Sequence, residues 1–323
     1  MSGRVIYTCP FVPAEWIKAH GLIPSRFIPK SVDGPVGSAP GLCPFALAFI
    51  NAAVAQKDAA AVIVTTSCDQ IRRAADLISL HSDKIVFAMN VPHTWQTTAA
   101  QRIYISELYR LGRFLVGLGG KTPSSEHLIQ IMIEYDAKRA EIRDAAGLLR
   151  PSDYAKLIAE FNMTGQVSVE QASYTPSGVP VTLIGSPMMQ QDIILFDVIE
   201  QSGGYVALNG TENGERTLPA PLDRRTAGED PLIALADAYF GSIPDAFRRP
   251  NSGLYQWMKK AIGKRGIRGV ILRRYVWCDT WNAEAHRMSE WLDVPFLHLD
   301  VSDDHGDSIR TKTRLQAFIE MLK

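Results

Sequence analysis

The chain is 323 residues long, 46% hydrophobic and 21% charged, enough for two domains with cores of their own. Its 34 lysines and arginines balance 34 aspartates and glutamates, so no net field draws it to nucleic acid or to an anionic membrane. No apolar run approaches the ~20 residues that cross a bilayer, and Met1-Ser2-Gly3-Arg4 leads straight into an apolar segment with no basic leader or cleavage site, so a cytoplasmic location is expected.

In chain order, Val5–Thr8 reads as a short buried strand and Ala14–His20 as a helix closed by Gly21. Leu22–Ile28 is a second apolar stretch, and Pro44–Gln56 has helical periodicity. Ala59–Thr66 is the unbroken apolar run that strands covered on both faces of a parallel sheet carry. Asp69–His81 predicts an amphipathic helix with Ile71, Ala74, Ala75 and Ile78 on one face, and Lys84–Asn90 another strand. From Thr97 to about Phe161 the pattern is helical, broken at Gly119-Gly120 and near Pro151. Gln166–Gly178 is polar and turn-rich, a plausible boundary.

The alternation then resumes, with a strand at Val179–Gly185, a helix at Gln190–Gln201 and a strand at Tyr205–Leu208. Thr211–Gly228 reads as a polar, charged loop with room to move. Helices follow at Leu232–Tyr239 and Leu254–Ile262. Gly269–Trp277 and Pro295–Leu299 read as strands, Asn282–Leu292 and Ile309–Leu322 as helices. The pattern predicts an α/β protein of two Rossmann-like (flavodoxin-like) parallel-sheet domains with a helical connecting segment. The expected divisions are 1–118, 119–178 and 179–323.

Three of the four cysteines follow predicted strands: Cys9, Cys68 and Cys278. Open α/β sheets bind ligands outside the carboxyl ends of their strands. Cys43 precedes a helix, whose unpaired backbone N–H groups favour a thiolate. A single free cysteine is usually just a small buried hydrophobe; four at strand ends or helix starts favour a shared role. No C-x-x-C or closely spaced histidine pair suggests zinc. Dispersed thiols suit an iron–sulfur cluster, although spacing alone does not choose between metal and burial. Neither a G-x-G-x-x-G after a strand nor a P-loop is present, which disfavours nucleotide binding.

The segments Tyr7-Thr8-Cys9-Pro10-Phe11-Val12-Pro13-Ala14-Glu15 and Ala19-His20-Gly21-Leu22-Ile23-Pro24 open an ordered series of motifs. Cys43-Pro44-Phe45, Thr66-Ser67-Cys68-Asp69-Gln70-Ile71-Arg72-Arg73 and Trp277-Cys278-Asp279-Thr280-Trp281 continue it, and Ile309 to Phe318 closes it. The series resembles the 2-hydroxyacyl-CoA dehydratase D-component family, which includes subunits of 2-hydroxyglutaryl-CoA dehydratase and benzoyl-CoA reductase. The resemblance implies a [4Fe–4S] cluster in a cleft between two Rossmann-like domains, with Cys43, Cys68 and Cys278 as ligands and Cys9 a fourth ligand or a neighbour. It further implies a homologous second subunit (or a second copy) and an ATP-dependent iron–sulfur activator. The reaction implied is one-electron reduction of an acyl-CoA thioester to a ketyl radical, with loss of hydroxyl or ring reduction.

Within that reading Glu15, in the family's Pro-x-Glu position, is the candidate for proton transfer; the bland alternative is a carboxylate favoured by its helix dipole. Asp69 and Asp279, each following a candidate ligand cysteine, read as helix N-caps, against the alternative of a direct role. Arg72 and Arg73 are candidates for binding the phosphates of CoA or ordering the cluster region, against the alternative of a solvated helix face. Ser186 is a candidate for substrate contact from a strand-end turn. An electron relay of the same fold, or a cluster-free α/β binding protein, are the competing expectations.

Overall fold

The computed structural model describes residues 3–37, 39–169, 173–302 and 308–323. The N-terminal sheet arises from β1 (Arg4–Tyr7), β2 (Ile23–Arg26), β3 (Ala59–Thr65) and β4 (Ile85–Met89), interleaved with α1 (Ala14–Ala19), α2 (Pro44–Ala55) and α3 (Asp69–His81). Its strands are all parallel, in the order β2-β1-β3-β4. β3 lies between two neighbours and under helices. Its alanines, valines and isoleucine are accordingly buried almost throughout, as a strand covered on both faces requires. On α3, Ile71, Ala74 and Ile78 are buried one turn apart.

Three long helices follow: α4 (Thr98–Gly117), α5 (Ser125–Asp144) and α6 (Pro151–Thr164). Thr97 and Ser124 accept backbone N–H bonds from Ala100 and His127, and so cap α4 and α5. Pro151 opens α6, where its missing N–H costs nothing, and Gly165 ends it at φ 69°. The second alternation gives β5 (Val179–Gly185), α7 (Ile194–Gln201, entered through a 3₁₀ turn at Gln190–Ile193) and β6 (Gly204–Thr211). It continues through α8 (Arg224–Glu229), α9 (Pro231–Ala236, running into a π turn), α10 (Ser252–Arg265), β7 (Gly269–Tyr275), α11 (Asp279–Trp291), β8 (Phe296–Val301) and α12 (Ile309–Leu322). This sheet is also all parallel, in the order β6-β5-β7-β8. The predicted two-sheet α/β architecture is therefore the observed one. No helix among the described residues is long and apolar enough to cross a membrane.

The helical layer begins at Thr98 and is not isolated from either sheet. One core joins β1 and α1 to Tyr104 and Leu108 of α4, Tyr135 of α5, Ile158 of α6 and Leu235 of α9. A second runs from α2 and β3 to Tyr275 and Val301 of the other sheet. There the Phe45 and Tyr275 rings lie 6.4 Å apart, a contact worth about 0.5–1.5 kcal/mol beyond area burial.

The segment expected to be a loop with room to move is instead packed. Thr211, Arg216 and Thr217 are buried, Glu215–Thr217 forms a 3₁₀ turn, and α8 starts at Arg224. Arg216 anchors it: the guanidinium pairs with Asp245 at 2.6 Å and donates to the Gly210 and Pro244 carbonyls at 2.7 and 2.6 Å. Polar composition suggested solvent, but the polar groups satisfy one another inside.

Gly185 ends β5 at φ 138°, and a Cβ there would sit 1.8 Å from the Arg273 carbonyl oxygen. Positive-φ strain and overpacking together make Gly185→Ala destabilising by about 3 kcal/mol. Chemical denaturation should show it; a loss below ~1 kcal/mol would mean that the β5–β7 junction relaxes freely.

Candidate active site

In both sheets the strand order reverses next to the first strand of the unit, between β1 and β3 and between β5 and β7. The crevice beyond the carboxyl ends at such a switch point is where open α/β sheets hold ligands. Here the two switch points open on one cleft of about 690 Å³. Cys9 follows β1, Cys68 follows β3, Ser186 follows β5 and Cys278 follows β7; all line it, as does Cys43.

Cys43, Cys68 and Cys278 each occupy the position before the first residue of a helix, of α2, α3 and α11. The Cys43 sulfur faces the N–H groups of Phe45 and Ala46, Cys68 those of Gln70 and Ile71, and Cys278 that of Trp281. The Gln70 side chain accepts the Cys43 N–H at 2.9 Å, tying the α2 start to the α3 start. Burial pushes all three thiols up, Cys68 to about 12. Mutual repulsion adds to this: Cys278 feels Cys43 and Cys68, and Cys68 feels Cys43. Removed from water, the three sulfurs favour the protonated thiol, while the helix starts partly offset that cost of charge. Among the described residues no three His, Cys, Asp or Glu side chains converge as a site for a single metal ion.

Cys9 stands apart from that trio. Its sulfur lies 3.5 Å from the Ser67 hydroxyl, which is 2.8 Å from that of Thr65. Burial pushes it to about 11, and the charge of Glu212 adds to the rise. Ser186 is fully buried at the cleft wall; its hydroxyl accepts the Tyr275 N–H at 3.2 Å and its N–H donates to Arg273 at 3.1 Å. Beneath this turn Arg273 donates to Asp192 at 2.9 Å and to Pro187 at 3.0 Å, with its guanidinium 3.8 Å from the Tyr275 ring centre. Trp277 stands at the cleft, 57% exposed, with φ 66°, the only non-glycine residue at positive φ among those described. A bulky residue held there costs roughly 1–3 kcal/mol, and such strain concentrates at functional sites.

The remaining expected residues lie elsewhere. Glu15 does not line the cleft. It is 2% exposed, and its carboxylate accepts from Arg139 at 2.5 Å and from the Tyr239 hydroxyl at 2.6 Å. Arg139 in turn donates to Tyr239 at 2.6 Å. Burial alone would lower the Arg139 pKa; the adjoining Glu15 reverses this and keeps the guanidinium charged. Arg72 and Arg73 are exposed on α3, Arg72 pairing with Asp69 at 3.0 Å. The cap positions assigned to Asp69 and Asp279 belong to Cys68 and Cys278; the aspartates occupy the first helical turns.

Two acidic residues at the cleft went unrecognised in the sequence, Glu212 and Asp245. β6 continues to Thr211, three residues past its predicted end, so Glu212 follows a strand as the cysteines do. That strand-end position was the available signal. Asp245 carried none, because its distant partner Arg216 holds it there.

A search of the curated proteins finds no match. The family model described as 2-hydroxyglutaryl-CoA dehydratase, D-component, matches residues 9–322, nearly the whole chain and all four cysteines. With this match, the chain belongs to the 2-hydroxyglutaryl-CoA dehydratase D-component family and is a dehydratase-type enzyme subunit.

Proposed function

We propose that the chain is the iron–sulfur subunit of a 2-hydroxyacyl-CoA dehydratase or a benzoyl-CoA-reductase-like complex. In this reading Cys43, Cys68 and Cys278 hold a [4Fe–4S] cluster and an acyl-CoA thioester binds beside it. The carrying observation is the convergence of three helix-start cysteines from both sheets on one cleft. The donor set fits the group: each thiolate of a cube binds a different iron, so its sulfurs stand farther apart than around one ion. The helix-start N–H groups that the sulfurs face are donors of the kind that tune such clusters.

When bound, the cluster supplies one-electron reduction of the thioester. The residues of this chain supply the rest. The apolar walls of Phe11, Phe45 and Phe247 exclude water. Trp277 offers an exposed ring to an incoming acyl or nucleotide group. Ser186 is held against the cleft wall by Tyr275 and Arg273. The D-component family implies a partner subunit; our reading makes it a homologous subunit or a second copy, recharged by an ATP-dependent iron–sulfur activator.

Anaerobic reconstitution with iron and sulfide should give a brown protein with about four irons per chain and a broad absorption near ~400 nm. An acyl-CoA should perturb the EPR spectrum of the reduced protein. Iron-free protein after reconstitution would overturn the proposal and favour a cluster-free binding protein. A cluster indifferent to every thioester would favour an electron relay.

A further inference from the structure

The cleft has two chemically distinct sides. One carries the three helix-start thiols. On the other, the loop after β1 brings Cys9 and the loop after β6 brings Glu212, with Asp245 beside them. These loops belong to different sheets, and one side chain ties them together. Arg26, at the end of β2 and 7% exposed, donates through Nε to the Thr8 carbonyl at 2.9 Å. Through Nη2 it donates to the Glu212 carbonyl at 2.6 Å, and through Nη1 to the Thr217 hydroxyl at 3.0 Å. Thr217 returns to the same Glu212 carbonyl at 2.8 Å. The backbone of Glu212 is therefore locked to the neighbour of Cys9 across the domain boundary.

Its side chain, by contrast, is left unengaged. Glu212 is half-buried and lines the cleft, yet among the described residues its carboxyl forms no hydrogen bond and no ion pair. The other carboxylates of this region are committed: Asp245 to Arg216 at 2.6 Å and to the Phe247 N–H at 2.9 Å, Glu15 to Arg139 and Tyr239. A carboxyl fixed by its backbone and free at its head is what a proton-transfer group requires.

We propose that Glu212, and not Glu15, exchanges the proton with a substrate in this cleft, and that Arg26 is the residue that positions it. The proposal rests on the 2-hydroxyacyl thioester reading given above. Dehydration of such a substrate is redox-neutral overall, any electron borrowed to start it being returned. The C2–O bond breaks and its electron pair leaves with the oxygen, while the pair of a C3–H bond becomes the new C=C bond. The Glu212 O–H bond breaks as the departing oxygen gains its proton and leaves as water. The proton released from carbon 3 restores the carboxyl. Arg26 and Arg216, whose Nη2 has no hydrogen-bond partner, stand by to balance the transient carboxylate.

The groups facing Glu212 are Asp245, Arg26, Arg216 and Cys9, and its charge also reaches the Cys43, Cys68 and Cys278 thiols. Burial first, then Asp245, raise its pKa to about 7, against the lowering effect of Arg26 and Arg216. The acid form is thus held near neutrality, where a general acid is most effective.

The test compares wild type, Glu212→Gln, Glu212→Asp and Glu15→Gln in the full chain. Without cluster or partner, infrared difference spectra between pH 6 and 8 should show a carboxyl C=O band that titrates in wild type and is missing in Glu212→Gln. Thioester affinity, followed by cleft tryptophan fluorescence, should change less than threefold. In the reconstituted complex, turnover of Glu212→Gln should fall about 10²–10⁴-fold, the usual contribution of a general acid–base. Glu212→Asp should recover part of it, and the decline in rate as pH rises through about 7 should disappear with Glu212→Gln. An unchanged infrared band, or Glu212→Gln turnover within threefold of wild type, overturns the proposal. If wild type itself neither binds nor dehydrates any 2-hydroxyacyl thioester, the functional reading fails instead, and the infrared comparison still decides whether Glu212 holds a cleft proton.

Discussion

Replacing Arg139 with methionine is expected to cost about 3–5 kcal/mol of unfolding free energy, because it leaves the buried Glu15 carboxylate without its counter-charge. Glu15 and Arg139 are 2% and 5% exposed as side chains, so water does not replace the lost partner. Tyr239 alone, at 2.6 Å, supplies one hydrogen bond to a charge that had two. At roughly 2 °C per kcal/mol for a chain of this size, the melting temperature should drop by about 6–10 °C. Replacing both members, Glu15→Leu with Arg139→Met, should cost less than Arg139→Met alone, since no unpaired charge remains buried. Thermal and urea denaturation of the three proteins measure this. A cost for Arg139→Met below ~1 kcal/mol, the value of an exposed pair, would mean that Glu15 is not committed to Arg139 and is free for other chemistry. The pair ties α1, next to the Cys9 loop, to α5 and to the turn that follows α9. A residue in the family's Pro-x-Glu position thus acquires a structural task here.

The second large effect concerns the thiols. Cys43→Ser, Cys68→Ser and Cys278→Ser should each lose more than about tenfold of the bound iron after anaerobic reconstitution, at least the loss that removing an outer partner of a metal site causes. Serine offers a harder oxygen that is protonated at neutral pH, whereas iron–sulfur clusters require soft thiolate donors. Cys9→Ser should keep most of the iron. Cys9 faces Ser67 and Glu212 and not the trio, so a hydroxyl there can retain the contact with Ser67. Iron and acid-labile sulfide per chain, with circular dichroism as the check on folding, measure the outcome. Retention in all three variants would reject the ligand set; an equal loss in Cys9→Ser would make it a fourth ligand.

Much of the fold was legible because its signals are local. β3 and β5 are apolar runs bounded by polar or glycine residues, and α3 and α12 have clear faces and starts, so their limits were readable to within a residue. The cysteines were readable for the same reason: a residue that follows a strand and precedes a helix stands at the carboxyl edge of a sheet. The 211–228 segment was misread because its stability is non-local. Arg216 and Asp245 are separated by 29 residues in the chain, and nothing in the composition around either predicts that the two charges are buried together.

Sequence by itself determined the two parallel sheets, the placement of the four thiols at their edges and, through the ordered motifs, the family. It could do so because strand period, helix starts and motif order are carried by neighbouring residues. Only the tertiary structure decided which carboxyl faces the cleft. Glu15 and Glu212 are equally acidic as residues; their difference lies in partners 124 and 186 positions away, Arg139 holding the first and Arg26 placing the second. A direct ion pair makes the Glu15 carboxylate structural, while burial and Asp245 outweigh the nearby arginines at Glu212 and favour its protonated form.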